Sequence, residues 1–170
     1  ALYSNTTGNY NNASGSLALR SNTTGSNNTA SGYQALYSNT TGNNNTASGT
    51  GALYSNTTGT RNTASGTYTL FFNTTGDYNT ASGYEALVGN LTGNFNTALG
   101  RNTLGSATTA SSAVAVGINS LMNITTGGFN TAVGDASGQV VTDGTHNCFF
   151  GYNSCPQAGE KGTDEGNQSR

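Results

Sequence analysis

The sequence predicts an all-β chain, a parallel β-solenoid of the β-roll or β-helix type with about nine 17-residue coils. Three observations predict it. The motif N-T-A-S-G-Y-x-A-L-Y-S-N-T-T-G-x-x recurs every 17 residues without insertion. A 17-residue repeat is too short for a helix-turn-helix unit. Gly, Asn, Thr and Ser, which are poor helix formers, fill most positions.

Two short extended segments are expected in each coil, such as NTAS at 28–31 and YQALYS at 33–38. Each is closed by a turn in which glycine supplies the positive φ of a tight corner. Stacked coils about 4.8 Å apart would then pair the backbone groups of neighbouring coils. The predicted corner glycines of the central coils are Gly32, Gly49, Gly66 and Gly83.

A single coil cannot bury its own apolar face, so stacking is expected to build the core. The invariant Ala and Leu registers point inward in this hypothesis, and Asn and Thr ladders link the coils by hydrogen bonds. The predicted core residues are Ala30, Leu36, Ala47, Leu53, Ala64, Leu70, Ala81 and Leu87. A variable register is expected to face solvent; it holds Leu17, Gln34, Gly51, Tyr68, Glu85 and Asn102.

The domain prediction is a solenoid over residues 1–154 with an atypical capping coil at about 140–155, followed by a polar, charged tail or linker over 156–170. Late in the chain the Thr and Ser registers of the NTAS segment become apolar, which favours burial or a subunit interface. The chain starts inside a repeat without Met. We therefore expect a processed or trimmed piece of a longer protein.

The composition excludes several classes of function. The chain has 170 residues but only five Lys or Arg, seven Asp or Glu and one His, with a net charge of −2. Its few cations are scattered, so no nucleic-acid partner is expected. The sequence contains no run of about 18 apolar residues, so no membrane span is predicted. No phosphate loop, cofactor motif or paired-carboxylate pattern appears, so we expect no cofactor and no catalytic residue.

Candidate reactive residues cluster near the C-terminal end. Cys148 and Cys155 are separated by six residues, and a disulfide between them would staple the capping coil. Two reduced thiols, one of them buried, are the alternative. His146 lies near Asp143, but the spacing matches no zinc signature and no catalytic pattern, so neither a metal site nor an enzyme is predicted.

N-x-T sequons raise the prospect of N-glycosylation along one edge of the rod. The same residues are favoured in tight turns, so an Asn-Thr-rich repeat also generates sequons by accident. The repeated sequons start at Asn5, Asn22, Asn39, Asn56, Asn73, Asn90 and Asn123.

A regular Thr-x-Ser array allows two interpretations. An outward array on a flat strand would favour ice binding, as in ice-binding solenoids, whereas an inward array would be a hydrogen-bonded core ladder. The array consists of Thr29/Ser31, Thr46/Ser48, Thr63/Ser65 and Thr80/Ser82. Surface aromatics around the Leu register can bind sugars or receptors, but packing between coils or subunits is the favoured interpretation.

The copies NTAVGDASG at 130–138 and SAVAVGINSLM at 112–122 resemble the head repeats of trimeric autotransporter adhesins, which carry an A-x-G corner in each coil of a β-roll. The form NTASGYQALYSNTTG resembles repeats of phage tail-fibre-type and bacterial surface-fibre proteins. The resemblance covers about residues 1–154. It implies an extended, extracellular, fibrous part without an enzymatic role, on a cell or virion surface.

Three functions are compared. The favoured one is a non-enzymatic structural and adhesive fibre module. Its partner would be the chain itself, as a trimer or head-to-tail filament, with surface carbohydrate or a receptor as a further partner. The alternative is an ice-binding solenoid that uses the Thr-x-Ser ladder. An enzyme on a solenoid scaffold, such as a polysaccharide lyase, lacks the acid and base residues it would need.

Overall fold

The computed structural model describes residues 1–154, and these form an all-β parallel solenoid without helix. The predicted tail at 156–170 and Cys155 lie outside the described residues. Each coil contributes one three-residue strand. The strands are β1 Asn12–Ser14, β2 Thr29–Ser31, β3 Thr46–Ser48, β4 Thr63–Ser65, β5 Thr80–Ser82, β6 Thr97–Leu99, β7 Val114–Val116, β8 Thr131–Val133 and β9 Cys148–Phe150.

The nine strands form one sheet in chain order, and every neighbouring pair is parallel. Each residue pairs with its equivalent one repeat later, so Ala30 lies opposite Ala47 and Thr29 lies opposite Thr46. The constant 17-residue period therefore becomes a constant register. Identical residue types are placed side by side along the rod, which confirms the predicted fold class.

The YQALYS segment is not the second strand that the sequence predicted. Gln34 and Leu36 adopt left-handed conformations with φ of 58° and 51°. Backbone pairing between coils nevertheless continues, because Leu36 N donates to Ala52 O at 3.0 Å and Ser38 N donates to Tyr54 O at 3.0 Å. The left-handed conformation of leucine is unfavourable in isolation. Repetition of the same bonds in each coil offsets that cost.

The rod is filled by the Ala and Leu registers. The predicted core residues all lie in its interior, with exposed fractions of 1% or less: Ala30, Leu36, Ala47, Leu53, Ala64, Leu70, Ala81 and Leu87. The variable register does not simply face solvent as expected. Tyr68 is exposed, Gln34 and Glu85 are half-buried, and Gly51 is buried. Gly51 is buried because the Tyr68 ring lies against it, and a Cβ there would lie 2.9 Å from Tyr68 Cδ1.

Glycine recurs at two positions of the repeat, represented by Gly32 and Gly42, and a different physical cause requires it at each. Gly32 has a φ of +136°, and an added Cβ would lie 2.5 Å from Gly49 O in the next coil. Gly42 has no such φ, but its Cβ would lie 2.4 Å from both Asn39 Oδ1 and Gly59 O. The predicted corner glycines Gly32, Gly49, Gly66 and Gly83 have φ between +131° and +137°. Close approach of coils, and not φ, therefore requires the second glycine register.

Candidate functional site

One face of the rod is the outer surface of the nine-stranded sheet, here called the sheet face. The central residue of each strand from β2 to β8 is buried, and its two neighbours point outward. In β2 to β5 the outward residues are the Thr and Ser of the Thr-x-Ser array, and all are exposed. The array is therefore an outward surface and not a core ladder.

The sheet face changes character at β6. Leu99 replaces Ser in the outward register, and Val116, Val133 and Phe150 follow it. Leu99 is 39% exposed and Phe150 is 65% exposed. Late replacement by apolar residues had favoured burial or a subunit interface, and burial within the chain is wrong for these two side chains. The sheet face thus has a hydroxyl half, β2 to β5, and an apolar half, β6 to β9.

A buried asparagine ladder runs along the rod at the start of each SNTTG segment. Asn39 Nδ2 donates to Asn22 Oδ1 at 2.7 Å and to Gly42 O at 3.0 Å. Asn56 repeats this pattern on Asn39 Oδ1 and Gly59 O, at 2.9 and 3.0 Å. Each amide thus closes its own turn and binds the preceding coil.

Five sequon asparagines are members of this ladder and are fully buried: Asn22, Asn39, Asn56, Asn73 and Asn90. A glycan on any of these nitrogens would occupy the donor that the ladder uses and would have no space inside the stack. Glycosylation at these five positions is therefore wrong for the folded rod. Asn5 and Asn123 are half-buried, and for them the hypothesis stays a prediction.

The ladder ends at Asn90. Asn90 Nδ2 donates to Asn73 Oδ1 at 2.6 Å, but the next residue in the register is Ala107, which has no side-chain donor. Asn90 Oδ1 is buried and has no hydrogen-bond partner among the described residues. Ile124 and Val141 continue the register, so this part of the interior is polar before Asn90 and apolar after it.

A second surface feature is a stack of aromatic rings. Tyr37 stacks on Tyr54 at 5.0 Å and 7°, and Tyr54 stacks on Phe71 at 4.8 Å and 6°. Tyr68 and Phe72 meet Phe71 at steep angles of 80° and 83°. The packing interpretation of the aromatics thus accounts for the stack itself.

Beyond the end of this stack lies an open groove of about 340 Å³. We call it the ring groove, and it is lined by Tyr68, Phe71, Phe72, Glu85 and Val88. Glu85 is half-buried, and a hydrogen bond and the charge of its carboxylate raise the pKa of the neighbouring Tyr84 hydroxyl. The groove therefore combines aromatic rings with one carboxylate acceptor.

The reactive residues near the C-terminal end form no constellation. His146 stacks on Phe129 at 4.9 Å and 12°, as a surface aromatic residue does. Cys148 is exposed on β9, and its proposed partner lies outside the described residues, so the disulfide stays a prediction. Among residues 1–154, no group of three or more His, Cys, Asp or Glu residues comes together to hold a metal ion.

Two further findings concern the chain beyond any single site. The part of the chain that the structure describes has no helix with the length and apolarity of a membrane span. Compared with protein-family models, curated proteins and solved structures, the chain finds no match in any of the three.

Proposed function

We propose that this chain is a non-enzymatic structural and adhesive module of an extracellular fibre, and that copies associate through the apolar half of the sheet face. The single observation that carries the proposal is the outward position of apolar side chains on neighbouring strands β6 to β9. Leu99, Val114 and Phe150 are exposed at 39%, 38% and 65%. Large contiguous apolar patches on a protein surface commonly mark protein–protein interaction sites.

A second copy of the chain is the partner that best suits this patch. Its side chains are uncharged, and neighbouring strands about 4.8 Å apart present them at regular intervals. An identical surface brings complementary apolar side chains, and closed symmetric association is the usual outcome for soluble chains. The resemblance of NTAVGDASG and SAVAVGINSLM to trimeric adhesin heads supports the same partner, because both segments lie in this half.

The experiment is a measurement of native mass by mass spectrometry or light scattering. The parent chain should be an oligomer. The triple variant Leu99→Ser, Val116→Ser and Val133→Ser places in β6 to β8 the residue found at the same register in β2 to β5. It removes three of the five outward apolar side chains, so the mass distribution should shift toward the monomer with an unchanged circular dichroism spectrum. Ser31→Val is the matched control in the hydroxyl half and should leave the oligomer intact. A monomeric parent chain would overturn the proposal.

Ice binding is the second candidate, and the outward Thr-x-Ser array is the observation that favours it. An outward array on a flat strand is the arrangement that favours ice binding, and the Thr and Ser side chains point outward in all four strands. The array spans β2 to β5 and ends at Leu99. Inhibition of ice recrystallisation tests it. Thr63→Lys should abolish inhibition, while Thr58→Lys, exposed outside the sheet, should not.

The triple serine variant separates the two candidates. In the fibre proposal it loses self-association. In the ice-binding proposal it completes the Thr-x-Ser pattern at β6 and β8 and adds a serine to β7, so activity should rise.

A further inference from the structure

The ring stack provides a geometric rule for what lies beyond Phe71. Each ring is contributed by one coil, and successive rings are parallel at 5.0 and 4.8 Å. The next residue in this register is Val88, followed by Gly105, so no fourth ring continues the stack. Phe71 and Val88 both line the ring groove. The groove therefore occupies the place where the next flat ring of the series would lie.

The walls of the groove are held in place by neighbouring side chains. Tyr68 and Phe72 contact Phe71 at centroid distances of 5.5 and 4.9 Å. Gly51 leaves room for the Tyr68 ring, because a Cβ there would lie 2.9 Å from Tyr68 Cδ1. Both flanking rings are nevertheless exposed, at 39% for Tyr68 and 50% for Phe72. The groove thus presents apolar surface that the chain itself does not cover.

Glu85 gives the groove its polarity. It is the single ionisable carboxylate among the five lining residues, and none of the five carries a positive charge. A carboxylate accepts hydrogen bonds and donates none, so a ligand must bring donors. The groove volume of about 340 Å³ lies at the low end of about 300–1,000 Å³ for small-molecule sites. One or two small rings would fill it.

We propose that the ring groove binds a neutral pyranose unit of a glycan. The C–H face of the sugar would take the stacking position after Phe71, over Val88, and sugar hydroxyls would donate to the Glu85 carboxylate. A sugar ring carries both the C–H face and the hydroxyl donors that the groove requires. An acidic sugar would be repelled by Glu85, and a quaternary ammonium ion brings no hydrogen-bond donor for its carboxylate. The inference rests on the adhesive part of the proposed function and names the class of its ligand.

The repeat supplies variants that test this site with little risk to the fold. Val88→Tyr places in the groove the residue that Tyr37 and Tyr54 represent at the same register, so the chain would fill its own site. Phe72→Ser copies Ser55, and Glu85→Gln copies Gln34. The matched control is Tyr78→Asn, which copies Asn44 and removes an exposed ring that does not line the groove.

Saturation-transfer NMR provides the readout, with the methyl glycosides of glucose, galactose, mannose and N-acetylglucosamine as probes and tetramethylammonium chloride as the competing class. At least one glycoside should receive saturation from the parent chain and from Tyr78→Asn. Val88→Tyr should abolish the transfer, and Phe72→Ser and Glu85→Gln should weaken binding at least tenfold.

The inference is overturned if no glycoside receives saturation, if Val88→Tyr binds like the parent chain, or if tetramethylammonium alone binds. Circular dichroism checks that each variant is folded. Native mass separates this test from the fibre proposal. Val88 lies outside the apolar half of the sheet face, so Val88→Tyr should lose the sugar and keep the oligomer.

Discussion

In the last coil, Gly138 replaces the usual leucine and Phe149 replaces the usual alanine, so side-chain volume is lost at one position and gained at the other. Earlier coils have Leu at the register of Gly138 and Ala at the register of Phe149, as Leu121 and Ala132 do. A Cβ on Gly138 would lie 2.8 Å from Phe149 Cδ2 and 2.8 Å from Leu121 Cδ2. The Phe149 ring therefore occupies the space that a leucine side chain fills elsewhere.

This exchange predicts strong coupling between the two positions. Gly138→Leu should destabilise the rod by roughly 1–3 kcal/mol through overpacking. Phe149→Ala should cost about 2–4 kcal/mol through the cavity it leaves, since the ring is only partly buried. The double variant restores the pattern of earlier coils and should recover most of both losses. Denaturant unfolding of the four proteins measures the coupling. Additive losses would show that the two side chains do not share one space.

The asparagine ladder predicts a difference between its middle and its end. Asn56→Ala removes the donor to Asn39 Oδ1 and the acceptor of Asn73 Nδ2. Asn90→Ala removes the donor to Asn73 Oδ1 but also deletes an oxygen that already lacks a partner. We expect Asn56→Ala to cost about 1 kcal/mol more than Asn90→Ala, the typical net value of one hydrogen bond.

Thermal and denaturant unfolding of these two variants provide the measurement. The pair is well matched, because both asparagines are fully buried and both donate to a glycine carbonyl at 3.0 Å. Equal losses would contradict the assignment of Asn90 as the end of the polar ladder.

The 17-residue period was sufficient to predict the solenoid, its register and its Ala and Leu core. It could not predict the backbone of YQALYS, because a left-handed Leu36 is unfavourable locally and is held only by the bonds to the next coil. Likewise, the sequon motif is local, whereas burial of Asn39 depends on the two neighbouring coils. In both cases, contacts between coils outweigh local preference.

The orientation of the Thr-x-Ser array was, in contrast, available from the sequence. Side chains alternate along a strand, so an inward Ala30 requires Thr29 and Ser31 to point outward. The ring groove, however, could not be predicted from the sequence. Its shape depends on a ring that leans over Gly51 and on the absence of a ring at Val88, which become neighbours of Phe71 only in the stack.

A charge in the core should unravel the stack. Leu36→Asp places a carboxylate among fully buried apolar side chains, and we expect a loss of at least several kcal/mol, enough to unfold a chain of ordinary stability. Gln34→Glu, two residues away, should be tolerated because Glu85 occupies the same register. Circular dichroism with thermal melting compares the two. A Leu36→Asp protein as stable as the parent would refute the inward assignment of the Leu register.

Tyr84 should report the ionisation and position of Glu85. The hydrogen bond and charge of the Glu85 carboxylate raise the pKa of Tyr84. Glu85→Gln removes the charge, so the pKa should fall toward the ordinary tyrosine value of about 10. Carbon-13 NMR of the labelled tyrosine ring, followed through alkaline pH, measures the shift. Asp77→Asn, which copies Asn94 one coil later, is the control and should leave the titration of Tyr84 unchanged.

The sign of the accompanying stability change follows from the direction of the shift. Because the folded pKa lies above the unfolded one, the contribution of Tyr84 is complete below the unfolded value and is lost as pH rises through the folded value. Tyr84 is exposed, so solvent screening keeps this contribution small and the titration is the better measurement. An unshifted titration in Glu85→Gln would place the carboxylate away from Tyr84.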